Sequence, residues 1–205
     1  MEINKNIVKT LLNSKRIAIF IHINPDGDCL GSASALKQAL VSLNKTVDIF
    51  SDSIVPENYN FIKYVTDIKH DDEVAGYDLH VAVDCSDLKR LGKYSKFFNK
   101  IENTICIDHH KTKSDYAKLI HNEIVSSAAL IIYHYIKDFS KIDKDIACAL
   151  YAGISSDTGC FMHQNTTSEA LRISAELIDY GFDLYEANEN LFKYTTLSKF
   201  KLTKK

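Results

Sequence analysis

Eight Asp and His side chains fall in four short segments of this chain. They are His22-Ile-Asn-Pro-Asp26-Gly-Asp28, Asp84, Asp108-His109-His110 and Asp157. If the fold brings these segments together, they supply more carboxylate than one small pocket can hold unpaired. Burying several anions without compensation is too costly, so the set implies bound cations. A mixed oxygen and imidazole donor set without a thiolate requirement suits Mn²⁺, Mg²⁺ or Fe²⁺ better than structural zinc. Six or more candidate ligands suit two ions. Two metal ions about 3.5–4 Å apart can activate a water and stabilise an in-line phosphoryl displacement.

The elements that must position these residues are legible as apolar runs. Residues 17–21 (IAIFI) read as a fully buried strand. TVDIF (46–50), LHVAVD (79–84) and TICID (104–108) read as three more. Helical spacing covers 31–43, 126–137, 143–154 and 168–180, with Gly181 as a C-terminal stop. Alternation of apolar strands with helices predicts an α/β fold, a parallel β-sheet flanked by helices on both faces. In such sheets ligands bind beyond the carboxyl ends of the strands. The Asp and His residues follow the strand-like runs, as that rule requires.

Composition narrows the function classes. The chain has 205 residues, 45% apolar and 25% charged, which excludes wholesale disorder. The net charge is −2, so no overall basic field holds a polyanion, and neutralisation of an anionic substrate must be local. Five scattered Cys without paired CxxC spacing argue against a disulfide or zinc-ribbon scaffold and suit a reducing cytoplasm. No apolar stretch is long enough to span a bilayer, and the charged N-terminus does not read as a signal peptide.

HINPDGDCLGS, VAVDCSD, IDHH and GISSDTGCF occur in the order and approximate spacing of the four motifs of DHH-family phosphoesterases. The chain resembles that family from about residue 15 onward. HxNPDGDxxGS and SDTGxF look most like its branch of nano-RNases and 3′-phosphoadenosine 5′-phosphate (pAp) phosphatases. The resemblance implies one divalent ion on His22, Asp26 and Asp84, and a second on Asp28, Asp84, His109 and Asp157. Asp84 would bridge them. Mn²⁺ is the expected ion, with Mg²⁺, Fe²⁺ or Co²⁺ as alternatives. His110 would face the scissile phosphate, and Asp108 would orient a histidine. Asn24, Arg90 and His163 are candidate substrate contacts beside His110. Arg90 is more ordinarily a surface group, and related sequences often carry a basic residue near position 163, where Met162-His163 stands here.

Each residue also has a plainer reading. His22 alone would be a satisfied core histidine, and only Asp26 and Asp28 in the same segment reverse that. Gly31-Ser32 could cap a helix or bring amides to a phosphate. Cys29, Cys85, Cys106 and Cys160 flank the motifs and read as small buried hydrophobes. The resemblance divides the chain into a metal-binding catalytic domain over 1–190 and a basic linker or helix start over 191–205. The linker would lead toward a C-terminal substrate-binding lid, and no Gly-rich motif of such a lid occurs here. The implied activity is hydrolysis of pAp or of short oligonucleotides by a metal-activated water. Alternatives are a pyrophosphatase or cyclic-dinucleotide phosphodiesterase, or a metal- and nucleotide-binding module without turnover. Expected partners are a small nucleotide or short oligonucleotide and no membrane, and a homodimer is compatible with the sequence.

Overall fold

The structure, a computed structural model, describes residues 1–112 and 115–193. Lys199, Lys201, Lys204 and Lys205 of the expected basic tail lie outside the described residues.

Five parallel strands form one sheet in the order β2-β1-β3-β4-β5. They are β1 (Arg16–Phe20), β2 (Thr46–Phe50), β3 (Leu79–Val83), β4 (Thr104–Asp108) and β5 (Leu119–Asn122). The long helices are α1 (Lys5–Asn13), α2 (Gly27–Ser42), α4 (Ala128–Phe139), α5 (Lys144–Asp157) and α6 (Ser168–Ile178), with short α3 (Ser95–Phe98) and α7 (Leu184–Asn188). The chain leaves β1 toward β2 and then returns to place β3 on the other side of β1. A crevice therefore opens beyond the carboxyl ends of β1 and β3, where the winding direction switches.

The two faces of the sheet are covered unequally. One face carries α1, α2, α4 and α5 over a continuous aliphatic core that includes Ile19, Leu36, Val81, Ile107, Leu130 and Leu150. The other is closed by a 3₁₀ segment, Leu88–Tyr94, and by α3. Its core is aromatic: Phe20 stacks on Phe50 at 5.6 Å and meets Phe98 edge-on at 5.7 Å. No helix among the described residues is long and apolar enough to cross a membrane.

Helix α2 starts four residues before the sequence pattern suggests. Asp26 is its N-cap, accepting the Cys29 N–H at 3.0 Å, so Asp28 lies in the first helical turn and not in a loop. Gly31 is thus inside the helix, neither a cap nor an amide offered to phosphate. It lets α2 approach α5 closely: a Cβ there would overlap the Ala149 carbonyl oxygen and lie 2.9 Å from the Gly153 nitrogen. At Gly153 a Cβ would meet Ala129 Cβ at 2.5 Å and Asp28 Oδ1 at 2.9 Å. Helix α5 is also longer than its pattern and ends on Asp157 itself, while Gly181 takes φ +79 after α6.

Gly31→Ala gains helix propensity of about 1 kcal/mol. The overlap falls on backbone, which cannot rotate away, so a net loss of about 1–3 kcal/mol is expected in urea unfolding. Unchanged or raised stability would show that α2 and α5 part freely.

Candidate metal centre

Four chain segments deliver their side chains to the crevice at the β1 and β3 ends. His22 follows β1, Asp84 follows β3, His109 and His110 follow β4, and Asp157 closes α5. Backbone conformation is unusual there. Asn24 (φ 52), Asp84 (φ 54), Cys160 (φ 54) and Phe161 (φ 64) all adopt the left-handed region as non-glycine residues, a conformation that persists only where surroundings hold it.

His22 and His109 are held in the same way. The Nδ1 of His22 lies 2.8 Å from the Ile23 carbonyl, and that of His109 lies 3.1 Å from the Val125 carbonyl. A carbonyl can only accept, so each Nδ1 carries the proton and each Nε2 presents its lone pair inward in the neutral ring. His22 Nε2 faces Asp84 Oδ2 at 3.6 Å and Asp26 Oδ2 at 3.9 Å. His109 Nε2 faces Asp84 Oδ1 at 3.4 Å, Asp28 Oδ2 at 3.6 Å and Asp157 Oδ2 at 3.7 Å. These separations are long for hydrogen bonds and fit ligands that share one ion. Asp84 turns one oxygen to each histidine.

The electrostatics call for a cation. Asp84 is 2% exposed, and its Oδ1 has no hydrogen-bond partner. Burial opposes its charge, yet the His109 and His22 imidazoles outweigh burial and hold it down to about 2. Burial likewise opposes the His109 cation, but Asp84, Asp28 and Asp157 raise it to about 10. Asp28 is driven well above the carboxylate range, first by burial and then by Asp84, against the pull of His109 and the Ala129 N–H. Asp157 is raised by burial, with Asp84 and Asp26 adding to it. Among the described residues no Lys or Arg pairs with Asp26, Asp28, Asp84 or Asp157. The His109 Nε2, Asp28 and Asp157 donors lie within 4.8 Å of one another, and so do donors of Asp84, His109 and His110. The residues fit divalent cations.

His110 differs from His109. Its Nδ1 donates to Asp108 Oδ1 at 2.7 Å, and Asp108 raises its pKa against burial. Asn122 Nδ2 in turn donates to Asp108 Oδ2 at 3.1 Å and to the His110 carbonyl at 3.0 Å. Asp108 is buried and positions His110, whose side chain is 36% exposed at the crevice. The expected substrate contacts lie on segments that flank the crevice. Asn24 is exposed, its N–H donating to Ser53 Oγ at 3.0 Å. Arg90 is half-buried, and its carbonyl accepts the Ile23 N–H at 2.7 Å. His163 is exposed over Gly159, with Nδ1 3.3 Å from the Asp157 carbonyl.

Two supports were not visible in the sequence. Asp28 accepts the Ala128 N–H at 2.6 Å and the Ala129 N–H at 2.9 Å, so it anchors the start of α4 as well as facing His109. Asn165 Nδ2 donates to the Asp157 carbonyl at 3.1 Å, to Asp157 Oδ2 at 3.3 Å and to the Ser126 carbonyl at 3.0 Å. It aims the carboxylate that comes from the C-terminal end of α5.

The chain belongs to the DHH family: the profile of the DHH family N-terminal domain matches residues 16–154. It is 29% identical to an uncharacterised protein of Mycoplasma genitalium, over 98% of this chain and 65% of that one. It is 32% identical to the bifunctional oligoribonuclease and PAP phosphatase NrnA of Thermus thermophilus, over 85% of this chain and 53% of that one. The crystal structure of an exopolyphosphatase-related protein of Bacteroides fragilis has the same fold, with TM-score 0.90, 24% identity, and coverage of 98% and 63%. The chain thus spans 53% to 65% of the length of these relatives.

Two measurements test the centre. Asn165→Ala frees the Asp157 carboxylate and should weaken Mn²⁺ binding about 10–100-fold in calorimetry, as loss of a ligand-orienting partner does. Binding as tight as in the parent would show that Asp157 needs no such hold. Ligands must also lose their protons, and His109 keeps its proton to about pH 10 without a cation. Mn²⁺ binding at pH 8 should therefore release protons, and affinity should climb with pH toward that value. Calorimetry in buffers of different ionisation enthalpy counts the release, and a count of zero would contradict the His109 assignment.

Proposed function

We propose that this chain is a metal-dependent phosphoesterase domain acting on pAp or on very short oligonucleotides. The observation that carries the reading is Asp84, one buried carboxylate with an oxygen toward each of two histidine-carboxylate groups. His22, Asp26 and Asp84 would hold one divalent cation, and Asp28, Asp84, His109 and Asp157 a second. Mn²⁺ suits these mixed oxygen and nitrogen donors, as do Mg²⁺, Fe²⁺ and Co²⁺. When bound, such ions lower the pKa of a water and neutralise charge on a transferring phosphoryl group.

The chain's own residues do the rest. The Ile23 and Val125 carbonyls keep His22 and His109 in one tautomer, so neither ring needs to reorganise. His110 holds a proton on Nδ1 against Asp108 and presents Nε2–H to an oxygen of the phosphoester. There it can stabilise charge or protonate the leaving group. Arg90, Asn24 and His163 border the crevice and would contact the rest of the substrate, Arg90 by a forked contact with a phosphate. The reading assigns no side chain to a covalent intermediate, so water would attack phosphorus directly. The reading assigns residues 1–190 to this domain and expects a second, basic surface to complete the grip on substrate. The oligoribonuclease and PAP phosphatase name of the Thermus relative supports this substrate class.

The chain with Mn²⁺, offered pAp, labelled dinucleotides and pyrophosphate in parallel, tests the proposal. Turnover of pAp or dinucleotides is expected, and Asp84→Ala should lower it by at least about 10³-fold because both cation positions are lost together. Turnover of pyrophosphate alone would overturn the substrate class. Tight Mn²⁺ binding without turnover of any of the three would favour a binding module.

A further inference from the structure

A buried thiol lies inside the first donor group and takes no part in the steps above. Cys29 is the third residue of α2, and the bond from its N–H to Asp26 Oδ1 is the bond that caps the helix. That cap ties residue 29 to the segment that carries His22 and Asp26. Cys29 Sγ, a ring nitrogen of His22 and a carboxylate oxygen of Asp84 lie within 4.8 Å of one another. All three residues are buried, with exposures of 0%, 2% and 2%. The thiol is weakly engaged, reaching the Val83 carbonyl at 3.9 Å. Both neighbours face the same space: His22 spends only Nδ1 on its backbone bond, and its Nε2 lies 3.6 Å from Asp84 Oδ2.

A Cys in a core is usually a small hydrophobe. Here the sulfur shares its space with ligand atoms instead of aliphatic ones alone. We propose that Cys29 makes the first cation position a four-donor site for borderline and soft dications such as Zn²⁺ or Cd²⁺, the sulfur joining His22, Asp26 and Asp84. Four donors of this mixed kind are what tetrahedral zinc accepts. Hard ions such as Mn²⁺ and Mg²⁺ take the oxygen and nitrogen donors and leave the thiol protonated beside them. When a thiophilic ion binds, sulfur forms the coordinate bond with its lone pair and the thiol proton passes to solvent. The chain would then distinguish cations by softness at one of its two positions, and a thiophilic ion there would resist displacement by Mn²⁺. The proposal rests on the two-cation reading above.

Cobalt(II) is the probe, because only a bound sulfur gives a strong sulfur-to-metal charge-transfer absorption in the near ultraviolet. The wild-type chain titrated with Co²⁺ should show this band, with the bound ion counted by calorimetry. Cys29→Ala and Cys29→Ser, each checked for fold by circular dichroism, should lose it. In both, the ratio of Cd²⁺ to Mn²⁺ affinity should fall by at least about tenfold, the usual scale for losing one soft ligand. Cobalt bound without the band, a band that survives in both variants, or an unchanged affinity ratio would each overturn the proposal. If any of these occurs while Mn²⁺-dependent hydrolysis persists, the thiol assignment fails alone. If no cation binds at all, the two-cation reading fails with it.

Discussion

The crevice concentrates carboxylates that no Lys or Arg among the described residues neutralises. Asp84 is the extreme case, buried with one oxygen lacking a donor and both oxygens turned toward imidazoles. A carboxylate in that position costs several kcal/mol of lost hydration unless a positive charge is shared with it. Without a cation the positive charge there comes from imidazole protons, above all the one on His109, drawn there by Asp84, Asp28 and Asp157. A divalent ion replaces that proton with two charges and satisfies several oxygens at once. Cation binding and proton release are therefore the same event at this edge of the sheet, and the site's chemistry is coupled to its stability.

Packing behind the crevice serves the same end. Helices α2 and α5 come close enough that Gly31 and Gly153 admit no side chain, and Gly153 lies directly against Asp28. Asp28 also binds the first amides of α4. An anion at a helix N-terminus gains about 0.3–1 kcal/mol, more when partly buried, and the two amides fix its orientation. Three helices thus meet at one carboxylate. A change in their spacing would move a ligand atom, and Gly31 and Gly153 stand where these helices approach. The left-handed backbone at Asp84 has a similar logic: it ends β3 and turns the carboxylate into the crevice instead of along the strand.

Much of this was legible in the sequence, and what was not had physical reasons. The first four strands read clearly because apolar and β-branched residues dominate them in a sheet covered on both faces. β5 did not, since its four residues, LIHN, form a short and half-buried edge. α1 was read only for its charges, although Ile7, Val8 and Leu11 make a buried stripe. The start of α2 was hidden because Asn-Pro-Asp-Gly carries turn signals, and a capping Asp26 has the same sequence context as a loop Asp26. All eight candidate ligand and orienting residues converge because each lies at or just beyond the end of a strand or at a helix terminus at one sheet edge. Their supports, Asn122, Asn165 and the Ala128 and Ala129 amides, are ordinary residues at remote positions. Nothing in their type or spacing marks them. The Asn-Thr-Thr-Ser run after Asp157 shows Thr167 as the cap of α6 and conceals the role of Asn165 two residues earlier.

The division of labour among the histidines follows from which acceptor each Nδ1 finds. His22 and His109 meet backbone carbonyls, neutral acceptors that leave Nε2 a good lone-pair donor. His110 meets a buried carboxylate that favours the protonated ring. Two adjacent residues in one loop, His109 and His110, with ring centroids 4.7 Å apart, are thereby assigned opposite tasks. In the proposed function one offers a cation its lone pair and the other offers the substrate a proton. Neither residue type nor position in the loop distinguishes them. The distinction comes from β5, because its Asn122 holds Asp108 in place and the turn beyond it supplies the Val125 carbonyl. The least conspicuous strand in the sequence thus sets the chemistry of the most conspicuous motif.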